Sequence, residues 1–416
     1  MQRLPFSFVA IITICCGQSL AIDLPKPAAG SIAVATVSRS DRATGGGLGL
    51  TVENGRLLRN GRPYRAIGVN YFDLFSRLLK APNDISYRAG LRQLAQAGIP
   101  WVRFHACGFW PIDNDLYRTN KEAYFARLDK IVRAAEEYHV GLIPSLFWLW
   151  STVPDMMGEP MDQLGNRQSK SIRFIRQYTT EVVGRYKDSP AIWGWETGNE
   201  YNLAADLPNA AHFRPVVVPS LKTASARSAR DEFSSQQMLT VFDEFARAVR
   251  RCDPKRIIVS GNSVPRASSY HNTLERSWKL DTAEEFAQIL VRDNPDPIDT
   301  LGVHVYPVDR GPYPGGAKGL DALIAVMCRV GQDKQKPLFV GEFGSALPND
   351  PARERAVFEE LLAAIERNPV PLAAVWVFDF SAQDKQGLNV TFDNARAYQL
   401  ELIGRANARL RKAMEQ

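Results

Sequence analysis

The chain has 416 residues, of which 45% are hydrophobic, 10% aromatic and 23% charged, a composition that excludes a disordered or fibrous protein. Its 51 Lys and Arg against 45 Asp and Glu leave a net charge of +6 spread thinly along the sequence. Without dense Lys/Arg clusters there is no electrostatic footprint for a phosphate backbone, and no nucleic-acid partner is expected.

Arg3 precedes an apolar run from Leu4 to Cys16, which is followed by Ser19-Leu20-Ala21. A basic start, a short apolar middle and a small-residue site predict a signal peptide over residues 1–21, cleaved after Ala21. As a helix the run reaches only ~20 Å, short of the roughly 30 Å hydrocarbon core, so a membrane anchor is the poorer reading. The expected location is secreted or periplasmic, with no membrane association after cleavage. Residues 22–48 are rich in Ala, Ser and Gly, end in Gly45-Gly46-Gly47, and read as a flexible leader. Loss of the signal leaves Cys107, Cys252 and Cys328, an odd number at wide spacing with no zinc or redox motif. At most one disulfide is possible, none is the favoured reading, and Cys107 reads as a packing residue.

From Leu50 the chain alternates short apolar runs with amphipathic stretches. A hairpin is expected at Asn60-Gly61, then strands at Tyr64–Asn70, Trp101–His105, Val140–Leu146, Ala191–Glu196, Arg256–Ser260, Thr300–His304, Pro337–Glu342 and Ala373–Phe378. Helices are predicted near Ile85–Ala97, over Lys121–Tyr138, where Tyr124, Leu128, Ile131 and Ala135 recur at three or four residues, and near Ala395–Lys412. Eight strand–helix units imply parallel strands joined by right-handed crossovers, an α/β fold of the (β/α)8 TIM-barrel type. An open doubly wound sheet is disfavoured because Gly68-Val69-Asn70-Tyr71 lacks the GxGxxG spacing of a dinucleotide turn. Residues 49–416 are therefore expected to form one domain. The Pro-containing, basic stretch 201–231 reads as an insertion in the loop after the fourth strand that shapes a cleft.

Two motifs carry the chemistry. Trp193-Gly194-Trp195-Glu196-Thr197-Gly198-Asn199-Glu200 runs off the fourth strand, and Pro337-Leu338-Phe339-Val340-Gly341-Glu342 ends the seventh. A glutamate closing an apolar strand is a charge placed where burial is costly, and two such glutamates are what acetal hydrolysis needs. One carboxyl is protonated to release the sugar oxygen, while the other is ionised to attack the anomeric carbon. The plain alternative is a pair of salt-bridged carboxylates at a barrel rim.

On these motifs the sequence resembles the retaining (β/α)8 glycoside hydrolases, most closely glycoside hydrolase family 5, the cellulase and β-mannanase family, over residues 60–416. The resemblance implies Glu200 as acid/base, Asn199 as donor to the sugar 2-hydroxyl and Glu342 as nucleophile. It further implies that Arg103 sits beside the nucleophile, that Tyr306 hydrogen-bonds Glu342, that His304 lines the sugar subsite near the acid/base, and that Trp376 floors the subsite where the bond breaks. The third strand ends Pro144-Ser145-Leu146-Phe147-Trp148 without the histidine many members carry, and His105 is expected either to fill that role from the second strand or to be a core histidine.

Trp110, Trp148 and Trp150, beyond strand ends, are expected as cleft platforms for sugar faces, whereas Trp101, Trp193 and Trp195 read as core. Asp73 and Glu196 are candidate hydroxyl binders, with Glu196 equally a partner for Arg103. HExxH, paired CxxC, P-loop and serine-elbow motifs are absent from the sequence, and neither cofactor nor metal is needed for the proposed chemistry. The reading is a monomeric, retaining hydrolase of β-linked polysaccharides or oligosaccharides, β-1,4-mannan or β-1,4-glucan first. Its rivals are a transglycosylase on the same fold and a non-catalytic carbohydrate-binding barrel.

Overall fold

The structure, a computed structural model, describes residues 49–308 and 312–416. The expected signal peptide and leader lie outside the described residues. Two Asn-Gly corners with positive φ, Asn54-Gly55 and Asn60-Gly61, fold β1 (Leu50–Glu53), β2 (Arg56–Arg59) and β3 (Arg62–Pro63) into a small antiparallel sheet. The first of these hairpins carries the same dipeptide signal as the second, although only the second was expected from the sequence.

Eight parallel strands follow: β4 (Ala66–Asn70), β5 (Trp101–His105), β6 (Gly141–Phe147), β7 (Gly194–Gly198), β8 (Ile257–Val259), β9 (Leu301–Val305), β10 (Leu338–Phe343) and β11 (Leu372–Val375). Their order is β8-β7-β6-β5-β4-β11-β10-β9, so the first strand pairs with the last and the sheet curls into a nearly closed (β/α)8 barrel, as the alternation predicts. At the remaining joint, between β8 and β9, side chains bridge a gap in the ladder. Asp299 donates its amide to the Ile258 carbonyl at 3.0 Å and accepts the Ile258 amide on Oδ2 at 2.6 Å. Asn294 Oδ1 accepts from the Ser260 hydroxyl and the Gly302 amide at 2.6 and 2.9 Å.

Trp101–His105 and the helix Lys121–Tyr138 occupy the predicted bounds. That helix is capped by the Asn120 side chain and buries Tyr124, Leu128, Ile131 and Ala135, each large apolar chain contributing roughly 1.5–3 kcal/mol. Two strands differ from expectation. Ala191–Trp193 is apolar but makes only an isolated bridge, Leu142 to Ile192, so β7 starts at Gly194. β11 ends at Val375, and beyond it the Val377 and Asp379 amides turn to the Leu388 and Val390 carbonyls.

Period-two alternation sorts the side chains into layers. At the amino-terminal end of the barrel, Leu50, Ala66, Trp101, Ile143, Trp193, Phe339 and Leu372 form an apolar plug. Space for it comes from Gly141, where a Cβ would stand 2.1 Å from the Trp193 ring. The polar inward residues lie above this plug, toward the carboxyl ends of the strands. Residues 201–231 fold over those ends as a short helix, Tyr201–Ala204, and single 3-10 turns. Arg227 fastens the segment with a bidentate pair to Asp155 at 2.6 and 2.7 Å, Arg230 pairs with Asp162 at 2.7 Å, and Lys222 pairs with Asp115.

Candidate active site

Alternation along β5 turns Trp101, Arg103 and His105 inward, and Arg103 becomes the hub of the barrel mouth. Its Nε donates to both Glu196 oxygens at 2.8 Å, its Nη1 to Glu342 Oε1 at 2.8 Å and Asn70 Oδ1 at 3.0 Å, and its Nη2 to Asn199 Oδ1 at 2.8 Å. The guanidinium also lies 4.4 Å from the Trp148 ring. Every edge of the fork is satisfied, which is what a fully buried cation requires.

With Phe339 inward in the plug and Val340 outward in the helix-facing core, strict alternation along β10 would turn Glu342 away from the barrel axis and Phe343 toward it, yet Phe343 packs outward. The register of β10 shifts against β9 and β11 between Val340 and Phe343, and this bulge re-aims Glu342 inward. Gly341 permits it: a Cβ there would sit 2.9 Å from His304 Nε2. The Gly341 carbonyl accepts from Asn70 Nδ2 at 2.9 Å, which ties the bulge to the same asparagine that holds Arg103. Asn70 is a site residue the sequence reading did not single out.

Glu200 follows β7 in the left-handed region (φ 53°, ψ 32°), a conformation that is costly for a residue with a Cβ. Its amide donates to the Gly261 carbonyl at 2.8 Å and that of Asn199 to the Trp148 carbonyl at 3.0 Å, so two neighbouring loops hold the turn. His304, inward on β9, stands between the carboxylates, with Nδ1 3.0 Å from Glu200 Oε1 and 3.5 Å from Glu342 Oε1. Tyr306 donates its hydroxyl to Glu342 Oε2 at 2.8 Å. One oxygen of each glutamate and one nitrogen of His304 lie within 4.8 Å of one another.

The two carboxyls have unequal surroundings. Both are buried, at 4% exposure for Glu200 and 2% for Glu342, and burial raises both above the ordinary carboxylate range. Glu200 is pushed up to about 7 by burial, opposed by the charge of Arg103 and a Ser263 contact. On Glu342 burial is opposed by His304, by Arg103 in direct contact and by the Tyr306 hydroxyl, while Glu200 raises it further. Burial drives His304 down to about 3, so near neutrality its ring is uncharged and Arg103 is the cation that favours the ionised form of Glu342. Direct hydrogen bonds from Arg103 and Tyr306 thus favour the ionised form of Glu342, whereas burial favours the protonated form of Glu200.

Trp376, just past β11, is anchored by its Nε1 donating to Gln383 Oε1 at 2.7 Å and is flanked by Phe72 at 5.6 Å and Trp148 at 6.0 Å. His105 lies beneath Phe72 with ring centroids 4.7 Å apart. Its Nδ1 is 3.0 Å from the Cys107 carbonyl, which must accept, so Nε2 carries the lone pair and has no partner. Burial lowers His105 to about 4, leaving it neutral.

The aromatic platforms differ from expectation. Trp110, Trp148 and Trp150 are all buried and present no open face. Trp150 stacks on Phe233 at 4.5 Å, Trp110 packs edge-on against Phe109 at 5.2 Å, and Trp148 covers Arg103. The reason is that the loops beyond the strands fold back on one another, so position past a strand end does not mean exposure. Glu196 is likewise committed to Arg103, and Asp73 pairs with Arg77 at 2.9 Å. Cys107, Cys252 and Cys328 are unpaired thiols, and burial pushes Cys107 up to about 12, unlike a nucleophile.

A family model described as Cellulase (glycosyl hydrolase family 5) matches residues 59–378. Probable mannan endo-1,4-beta-mannosidase A-1 of Aspergillus terreus is 31% identical over 121 residues, 28% of this chain, and the match spans only 30% of that relative's length. Among solved structures, the endo-1,4-beta-mannanase of Rhizomucor miehei shares the fold with a TM-score of 0.61 at 18% identity, covering 87% of this chain and 99% of that one. An exo-beta-1,4-mannosidase from Opitutaceae bacterium strain TAV5 superimposes with a TM-score of 0.58 at 18% identity, covering 85% of this chain and 61% of that one. The family model takes in well over half of the sequence, both glutamates included, and the chain belongs to glycosyl hydrolase family 5.

Proposed function

We propose that the protein hydrolyses β-1,4-linked mannan, or a closely related β-1,4-glycan, with retention of configuration. The observation that carries this reading is the facing pair Glu200 and Glu342, with oxygens within 4.8 Å and unequal hydrogen-bond surroundings. Retaining enzymes hold their carboxyl groups about 5–5.5 Å apart, whereas inverting enzymes leave roughly 6.5–9.5 Å for a water molecule.

In the first step Glu342 attacks the anomeric carbon. The carbon–oxygen bond to the Glu342 carboxylate forms, the glycosidic bond breaks, and the proton of Glu200 passes to the leaving oxygen. In the second step Glu200, now ionised, takes a proton from water as the water oxygen attacks the same carbon, and Glu342 is released. Arg103 and Tyr306 hold the attacking carboxylate from behind and Asn199 offers its amide to the 2-hydroxyl, while Trp376, at 4% exposure, offers no more open face than Trp110 or Trp150. His105, 1% exposed beneath Phe72, lies in the core and not on an open sugar subsite. Mannan as substrate is supported by the names of the relatives, and export by the signal pattern of residues 1–21.

The test is hydrolysis of a panel of β-mannan, β-1,4-glucan, β-1,3-glucan and xylan, with Glu342→Gln as control and the first-formed anomer followed by NMR. Release of β-anomeric mannan ends, lost in the variant, is expected. Activity unchanged in Glu342→Gln, or an α-anomer formed first, overturns the reading.

A further inference from the structure

The loop after β8 carries a second cluster of ligating side chains. Helix Ser269–Glu275 contributes His271, the turn behind it Asp281, and the first turn of helix Ala283–Arg292 Glu285. One donor atom from each lies within 4.8 Å of the other two. His271 Nε2 is 3.4 Å from Glu285 Oε2, and Nδ1 is 3.0 Å from Glu275 Oε2.

Two features separate this cluster from an ordinary patch of acidic residues. The His271 ring is 2% exposed, yet among the described residues neither nitrogen makes a hydrogen bond of acceptable geometry, Glu275 Oε2 standing 3.0 Å from Nδ1 out of alignment, an expensive state for a buried polar side chain aimed at two carboxylates. The carboxylates are also held from behind. Asp281 accepts the amides of Tyr270 and His271 at 2.9 and 3.3 Å, and Glu285 accepts the Thr282 amide at 2.7 Å, which leaves lone pairs free on each.

One imidazole nitrogen with two carboxylate oxygens is a donor set for a three-ligand zinc site completed by water, whereas calcium and magnesium favour oxygen alone. Metal–ligand distances of about 2.0–2.2 Å put tetrahedral ligand atoms roughly 3.3–3.5 Å apart. The His271–Glu285 separation of 3.4 Å already meets this spacing. Glu275, on the Nδ1 side, occupies the place of the carboxylate that commonly backs a ligating histidine.

We infer that His271, Asp281 and Glu285 bind one divalent cation of the zinc class. The ion fastens the two helices to each other across the turn that carries Trp278, the only one of the eight tryptophans in the chain that is exposed, at 41%. This turn belongs to the carboxyl end of the barrel, the same end as Glu200, so the cation stiffens a wall of the mouth and takes no part in bond cleavage.

The experiment is titration of the chelator-stripped full chain, made without a histidine tag, with ZnCl2 by calorimetry and with CoCl2 by visible absorption, beside thermal unfolding. One ion per chain, a tetrahedral cobalt spectrum and a raised unfolding midpoint are expected. His271→Asn and Asp281→Asn should weaken binding at least tenfold, while a Glu200→Gln/Glu342→Gln double variant should bind unchanged, which excludes the cluster at the barrel mouth as the source. Should His271→Asn fail to fold, Glu285→Gln, on a helix surface, carries the same expectation. Absence of heat and of a midpoint shift at millimolar zinc and cobalt, or binding that survives Glu285→Gln, overturns the inference.

Discussion

Replacing Glu200 with glutamine should stabilise the protein, and by an amount that depends on pH. Burial holds the Glu200 carboxyl at about 7 in the folded state against an ordinary value of 4.5. Between those values the folded chain keeps a proton that the unfolded chain has released, so stability falls as pH rises through that window. The stability lost across that window is roughly 3 kcal/mol: none of it is lost below pH 4.5, and all of it is lost well above pH 7. Glutamine keeps the shape and never ionises, so the variant escapes that loss. With an unfolding entropy near 2 cal/mol/K per residue, a chain of this length should gain roughly 3–4 °C in unfolding midpoint at pH 8 and almost nothing at pH 4.5. The assay is thermal unfolding of both proteins at half-unit steps from pH 4 to 9. A difference that is constant with pH, or a variant less stable than the parent at pH 8, refutes the argument that Glu200 is a buried acid kept protonated by desolvation.

The same protonation predicts an alkaline limb in kcat/KM with a midpoint near 7, and Glu200→Gln should lower kcat on mannan by about 10²–10⁴-fold, with a far smaller loss on aryl glycosides whose leaving group needs no proton. Tyr306→Phe removes a hydrogen bond that holds the Glu342 value down, so the acid limb of the pH profile should move to higher pH; a limb that stays put contradicts that role. Arg103→Met leaves Glu196 and Glu342 without their common cation and should cost about 3–5 kcal/mol, read as a large drop in denaturant midpoint. Gly341→Ala places a methyl 2.9 Å from His304 Nε2, and kcat should fall at least tenfold while KM changes little.

How far the sequence reaches depends on the range of the interaction that decides each feature. Lys121–Tyr138 is legible to the residue because an Asn cap, an unbroken apolar period and a left-handed His139 are all local. Trp101–His105 is legible for the same reason, since its alternation is uninterrupted. Glu200 and Glu342 stand out as charges at the ends of apolar runs, and Arg103 as a charge within one. The bulge at Gly341–Glu342 leaves no such trace: it exists only as a mismatch between β10 and its two neighbours. Asn70 is silent too, because an asparagine at a strand end becomes informative only once Arg103 and the Gly341 carbonyl are seen on either side of it. The tryptophans at 110, 148 and 150 failed as exposed platforms because exposure is decided by what else folds over a residue, and Phe233, which covers Trp150, is 83 positions away along the chain.

A ring is only as tight as its last joint, and in this barrel that joint lies between β8 and β9. Glu200 hangs from one side of it, on β7, while His304 and Glu342 hang from the other, on β9 and β10. The gap between the two glutamates is thus a chord drawn across the joint, and Asp299, Asn294 and Ser260 act as its stitches. Loosening them lengthens the chord. Asp299, Asn294 and Ser260, remote from both carboxyls in sequence, thus belong to the framework that sets the spacing proposed for a retaining pair.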